Sequence, residues 1–164
     1  MTEKKDNFRI YGEPVSKIVE IVSQAVEASV KVPGNEAPDR QGGYLVIRER
    51  YSGFILLLER IGKCPPADVA RYLDLAQEKG LRIVSGQDIS SWQSRSPETG
   101  KFGGAIVAGN LTIAFSGLKE SIDEAVVLVL ALRLSWLTPN EVIAITEISG
   151  NRFVKALHNL SIPK

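Results

Sequence analysis

The strongest candidates for an iron ligand in this 164-residue chain are its one cysteine, Cys64, and its one histidine, His158. Cys64 stands directly before Pro65-Pro66, where a helix is expected to begin. A helix N-terminus lowers a thiol pKa and favours the thiolate. A Cys-Pro thiolate can ligate haem iron, and a low-pKa thiol can sense oxidants. Otherwise Cys64 is a small, partly buried cysteine with no chemistry. His158 has no His, Cys or Asp at metal-site spacing, so no metal centre is predicted, and a lone histidine is usually structural. The second group of candidates surrounds a strand-to-helix turn. Ser116-Gly117 ends a β-type run, and Asp123-Glu124 follows at the mouth of an apolar helix. Exposed backbone N–H groups at such a turn can hold a carboxylate or another anion. Asp123 and Glu124 either contact that ligand or serve the helix. In the latter case Ser121 and Glu124 form an S-x-x-E capping box, and both acids complement the helix dipole. Glu59 and Arg60 end an apolar strand, and Arg60 is a candidate to line the same site or an interface; a solvated strand end is the plainer alternative.

The chain lacks the patterns of several common enzyme classes. No triad can be built around an isolated histidine. No C-x-x-C, H-E-x-x-H or P-loop occurs, and Gly103-Gly104 does not fit G-x-G-x-x-G. Net charge is +1, from 20 basic and 19 acidic residues, so there is no basic face for nucleic acid. One cysteine permits no internal disulfide. No signal peptide follows the charged start, and the longest apolar run, 125–132, is far short of a bilayer span of about 20 residues. A cytoplasmic protein without membrane association is expected.

The elements that must position these residues follow from periodicity and punctuation. Residues 1–13 read as a mobile polar lead-in. Pro14 suits a first helical turn, and Val15, Ile18, Val19, Val22, Ala25, Val26 and Ser29 form an apolar stripe ended by Pro33-Gly34. Residues 34–43 read as a loop. Tyr44–Tyr51 and Phe54–Ile61 are strands joined at Ser52-Gly53; Ile55-Leu56-Leu57-Leu58 is apolar on both faces and predicts a central strand. A second helix carries Val69, Leu73 and Ala76, with Gly80 as its C-cap and a short strand over 81–84. Residues 85–103 form a polar loop long enough to be functional or mobile, with Trp92 as a lid residue or an anchor. A second hairpin turns at Ala108-Gly109-Asn110. The helix from Ser121, apolar all round over Val126–Leu132, suits a core or a subunit interface. Thr138-Pro139-Asn140-Glu141 opens another helix, and a last amphipathic segment runs over 152–160.

This order, with Gly42-Gly43 through Leu58-Glu59-Arg60, with Gly103-Gly104, and with Ser116-Gly117 five residues before Asp123-Glu124-Ala125, resembles the GlcG/HbpS-like family, also called haem-degrading domain proteins. The likeness covers residues 14–137, with 138–164 as a helical C-terminal extension of the same domain. It implies an α+β, profilin-like antiparallel sheet flanked by helices, a homo-oligomer, and a small-molecule ligand or haem. The functional expectation is a small ligand-binding or accessory protein whose site involves Arg60, Ser116, Gly117, Asp123 and Glu124. A haem-binding or haem-degrading protein using Cys64 or His158 is one alternative, and an enzyme on a small organic acid using Asp123, Glu124 and Arg60 is another.

Overall fold

A computed structural model describes residues 7–164. The chain is α+β. It begins with a two-stranded hairpin, β1 (Arg9–Ile10) and β2 (Glu13–Pro14), then α1 (Val15–Ser29), β3 (Gln41–Glu49), β4 (Ile55–Lys63), α2 (Val69–Arg82), β5 (Ala105–Ala108), β6 (Leu111–Ser116), α3 (Glu120–Arg133), α4 (Pro139–Ser149) and α5 (Val154–Ser161). The main sheet is antiparallel in the order β4-β3-β6-β5. Both hairpins lie side by side, with β3 and β6 at the centre. α2 carries the chain from one sheet edge to the other and packs on β3 and β6. α1 and α3 cover the opposite face, and α5 packs against both of them.

Strand parity explains this layering. In β3 and β6, Leu45, Ile47, Ile113 and Phe115 join the core beneath α1 and α3, whereas Tyr44 and Val46 pack with Tyr72 and Ala76 of α2. Side chains that alternate between two covered faces yield the unbroken apolar run seen in the sequence.

Several sequence expectations are corrected. The lead-in is folded from Arg9 onward, while residues 1–6 lie outside the described part. Tyr11 and Gly12, at φ 50° and 79°, make the tight turn. The Tyr11 hydroxyl accepts the Asn110 N–H at 2.6 Å, and its ring meets Trp136 edge-on. β4, expected to be central, is an edge strand, with Phe54, Ile55 and Leu58 exposed beside it or on it. Its second face faces solvent because α2 lies over β3 and β6 instead. Gly80 is not a cap. It sits inside α2, where its bare Cα faces Ala114 and Arg48, and the helix continues to Arg82, leaving no strand over 81–84.

α3 is consumed by the chain's own core. Every residue from Ile122 to Ala131 is buried, so its apolar surface is unavailable as a subunit interface. The Ser121–Glu124 capping box does not form. The N-cap is Lys119, without a side-chain cap, and Glu124 points into the core. The helix start expected at Thr138 does form, and it carries a capping box in which Glu141 reaches back to the Thr138 N–H. Among the described residues, no helix is long and apolar enough to cross a membrane.

Candidate functional site

The Ser116-Gly117 turn joins the centre of the sheet to α3. Gly117 adopts φ 150°, and a Cβ there would fall 2.1 Å from the Gly42 carbonyl oxygen. Gly43 is equally confined, since its Cβ would lie 2.1 Å from the Ser116 oxygen. The glycines therefore let two backbone segments touch where β3 begins and β6 ends. Ser116 pairs with Tyr44 and shares the α2 side of the sheet.

A cleft opens at this crossing, between the turn, the start of β3 and the first half of α2. It consists of two adjoining hollows of about 220 and 560 Å³ that share Arg40, Arg71, Tyr72 and Gly117. The smaller also touches Ser116, Lys119 and Asp123; the larger reaches Lys63, Cys64 and Asp68. Arg40 is steered by a hydrogen bond to the Leu118 carbonyl at 3.3 Å. Arg71 is exposed on α2, and Lys119 approaches Glu36 only at 3.8 Å. Burial, and then Asp68, raise the Tyr72 hydroxyl above the ordinary tyrosine range, so it meets a ligand as a neutral donor. Three cationic side chains and a neutral hydroxyl thus converge on a backbone turn, an arrangement suited to a small anion.

The inner end of the cleft is closed by an ion pair absent from the sequence reading. Lys79 of α2 has about 1% of its surface exposed and donates from Nζ to Asp123 Oδ2 at 2.9 Å and to the Phe115 carbonyl at 3.1 Å. Asp123 Oδ1 accepts the Leu118 N–H at 2.9 Å. The pair ties the helix on one face of the sheet to the helix on the other. It fits because residue 104 is glycine; a Cβ there would lie 2.8 Å from Lys79 Nζ and 2.9 Å from Asp123 Cβ. Burial pushes Asp123 up to about 6, against the downward pull of Lys79 and the Leu118 N–H. Both oxygens are engaged within the fold, so Asp123 shapes the cleft wall instead of presenting a free carboxylate to a ligand.

Glu124 is directed elsewhere. It has no surface exposure and accepts hydrogen bonds from Ser90 Oγ at 2.9 Å, Ser149 Oγ at 2.5 Å and Asn151 Nδ2 at 3.1 Å. It joins the 85–103 segment and the α4–α5 connection to α3. Burial raises its pKa, while the hydrogen bonds from Ser149, Ser90 and Asn151 pull the other way. Glu124→Ala strands three donors and should cost about 3 kcal/mol in urea unfolding; Glu124→Gln should cost about half that, because serine hydroxyls can turn from donor to acceptor. A raised folded-state pKa means that the carboxyl's contribution is full below the ordinary glutamate range and declines as pH rises through the raised value. Stability differences between wild type and Glu124→Gln should therefore change with pH in that direction; a difference independent of pH would show that Glu124 does not titrate as described.

The 85–103 segment is anchored, not a lid. Arg82 donates to the Ser91 and Phe102 carbonyls and to Ser94 Oγ. Arg95 stacks over Trp92 at 4.9 Å and pairs with Glu120, which also accepts the Gly103 N–H. Burial acts to raise Glu120, but the bonds from Arg95 and Gly103 hold it below its ordinary value. The Trp92 indole rests on Gly103, where a Cβ would come within 2.1 Å of it.

Of the predicted site residues, the fold brings together Ser116, Gly117 and Asp123. Arg60 is exposed on edge strand β4, outside the cleft walls, and Glu124 is buried away from it. Arg40, Arg71 and Lys119 were missed, since no local pattern marks residues drawn from a loop, a helix and a turn. Cys64 borders the cleft, but α2 starts only at Val69, so no helix N-terminus acts on the thiol. Burial raises its pKa, against the pull of Arg60, opposite to the expected thiolate. His158 lines a separate groove between α4 and α5. Cys64 and His158 line different hollows, so the two cannot ligate one haem iron together. Among the described residues no group of three or more His, Cys, Asp and Glu could hold a metal ion. Against family models, curated proteins and solved structures, the chain matches none.

Proposed function

We propose that this protein is a small-molecule-binding domain of the GlcG/HbpS-like type, whose ligand is a small organic anion held at the Ser116-Gly117 turn. The observation that carries this reading is the convergence of Arg40, Arg71 and Lys119 on one cleft beside a glycine-built turn. A carboxylate entering there meets guanidinium donors in fork geometry and the Tyr72 hydroxyl. Asp123 and Glu120 face the same end of the cleft but are neutralised by Lys79 and Arg95. They therefore oppose an incoming anion less than free acids would.

Binding, with no chemical step, is the role this set of residues supports. Calorimetric titration with succinate, citrate and inorganic phosphate tests it. At least one of these should bind saturably, and Arg71→Ala should weaken it about tenfold, the worth of one charge-assisted hydrogen bond. Arg71 is exposed and makes no side-chain hydrogen bond or ion pair among the described residues, so the variant should fold normally. Absence of saturable binding by all three probes, or binding unaffected by Arg71→Ala, would overturn the proposal.

A further inference from the structure

We propose a second binding site, for an amphiphilic carboxylate, in the groove between α4 and α5. An acyl chain would lie along its floor, with the carboxylate held by Arg152, Lys155 and His158.

The groove encloses about 450 Å³, within the roughly 300–1,000 Å³ common to small-molecule sites. Leu132 of α3, Val142 of α4 and Val154 of α5 form its apolar floor. One side is basic. Arg152 precedes α5, and Lys155 and His158 follow at three-residue steps, a spacing that aligns side chains along one helix face. No acidic residue lines the groove, although the chain as a whole is almost charge-balanced. Arg152 and Lys155 are exposed, and each lacks an ion-pair or side-chain hydrogen-bond partner among the described residues. The Nδ1 atom of His158 is buried and likewise has no partner. A buried polar nitrogen without a partner is uncommon in a folded protein, but this one is covered by the protein itself; a ligand in the groove reaches the exposed part of the half-buried His158 ring.

The two halves of the groove together select the ligand class. A purely apolar molecule would cover the floor and leave the cations and the imidazole unused. An inorganic anion would meet the basic side and leave the floor wet. An acyl chain with a terminal carboxylate satisfies both. The groove is also distinct from the cleft at Ser116-Gly117, with which it shares no lining residue. It gives the C-terminal extension, residues 138–164, a task of its own.

The test is calorimetric titration with decanoate below its micellar range, with decanol as the uncharged control. Methyl chemical shifts of Val142 and Val154 provide a local readout. Decanoate should bind one per chain and shift those methyls. Arg152→Glu with Lys155→Glu should weaken it about tenfold or more, as expected when charge-assisted contacts become repulsive. Both positions are exposed, so the variant should keep its fold. Decanol should bind more weakly than decanoate to wild type and equally to wild type and variant, and Arg71→Ala should leave decanoate binding unchanged. The proposal is overturned by absence of saturable decanoate binding, by equal decanoate affinity in the charge-reversed variant, or by loss of binding in Arg71→Ala, which would move decanoate to the cleft.

Discussion

Lys79→Met and Asp123→Asn should each destabilise the protein by about 3–5 kcal/mol, while the double variant should lose less than either single change. In Asp123→Asn the Lys79 ammonium stays fully buried with only the Phe115 carbonyl to satisfy it. Lys79→Met instead leaves a buried carboxyl without its cation and drives its pKa further up, since Lys79 is one of the groups pulling it down. In the double variant no charge remains buried at this point, and the amide oxygen introduced by Asp123→Asn can still accept the Leu118 N–H that Asp123 accepts at 2.9 Å. A double-mutant cycle in urea measures the coupling, which must exceed the larger of the two single costs and is therefore expected above about 3 kcal/mol. Strictly additive costs would show that the ion pair does not act as a unit.

The same pair sets a pH dependence with a definite sign. Asp123 titrates at about 6 in the folded chain, above its ordinary 3.8. Its contribution is fully present below about 4 and is lost as pH rises through 6, which amounts to about 3 kcal/mol. Glu120 acts oppositely, because its folded-state pKa is depressed and its contribution disappears as pH falls. The net curve therefore mixes signs. The Asp123 part is isolated by comparing wild type with the double variant, whose relative stability should rise between about pH 4 and 7.

Gly117→Ala should abolish the native fold, or cost more than about 4 kcal/mol where some folding survives. The new methyl would stand 2.1 Å from the Gly42 carbonyl oxygen and 2.5 Å from the Gly43 Cα. Both are backbone atoms of β3, so no rotamer change can relieve the clash. The φ of 150° adds strain for any residue with a side chain. The expected results are loss of cooperative thermal unfolding and exchange-broadened amide signals across β3 and β6. Gly100→Ala serves as a control. Its φ is also positive, 74°, but nothing lies within 4 Å of a Cβ there, so only the strain remains, at about 1 kcal/mol. Near-native stability of Gly117→Ala would mean that β3 and the turn do not approach as closely as described.

Much of the local structure was legible because its causes are local. The stripe from Val15 to Ser29, the turns at Ser52-Gly53 and Ala108-Gly109-Asn110, and the helix start at Thr138 depend on residues within a few positions of one another. The misreadings share a different origin. An apolar strand such as Ile55–Leu58 looks the same whether helices cover it or it lies at an edge, and only the path of α2 over β3 and β6 decides. Ser121 and Glu124 have capping-box spacing, but a buried cluster of Ser90, Ser149 and Asn151 captures the Glu124 side chain more effectively than an exposed backbone N–H could. Cys64 precedes two prolines, yet its surroundings bury the thiol and the helix begins too late to act on it.

By itself the sequence determined the α+β class, the two hairpins of the main sheet, the glycine-marked turn at Ser116-Gly117 and the start and apolarity of α3, though not its end at Arg133. These follow from side-chain period, turn chemistry and the conformational freedom of glycine, all short-range properties. The tertiary structure alone decided which charges are buried and where they meet. Lys79 and Asp123 are 44 positions apart and Ser90 and Glu124 are 34 apart. Arg40, Arg71 and Lys119 reach one cleft from three separate elements, and Arg152, Lys155 and His158 matter only because α3 and α4 supply an apolar floor beneath them. The reason is physical: a charge has a defined role only once its burial and its partners are set, and both depend on the packing of segments remote in sequence.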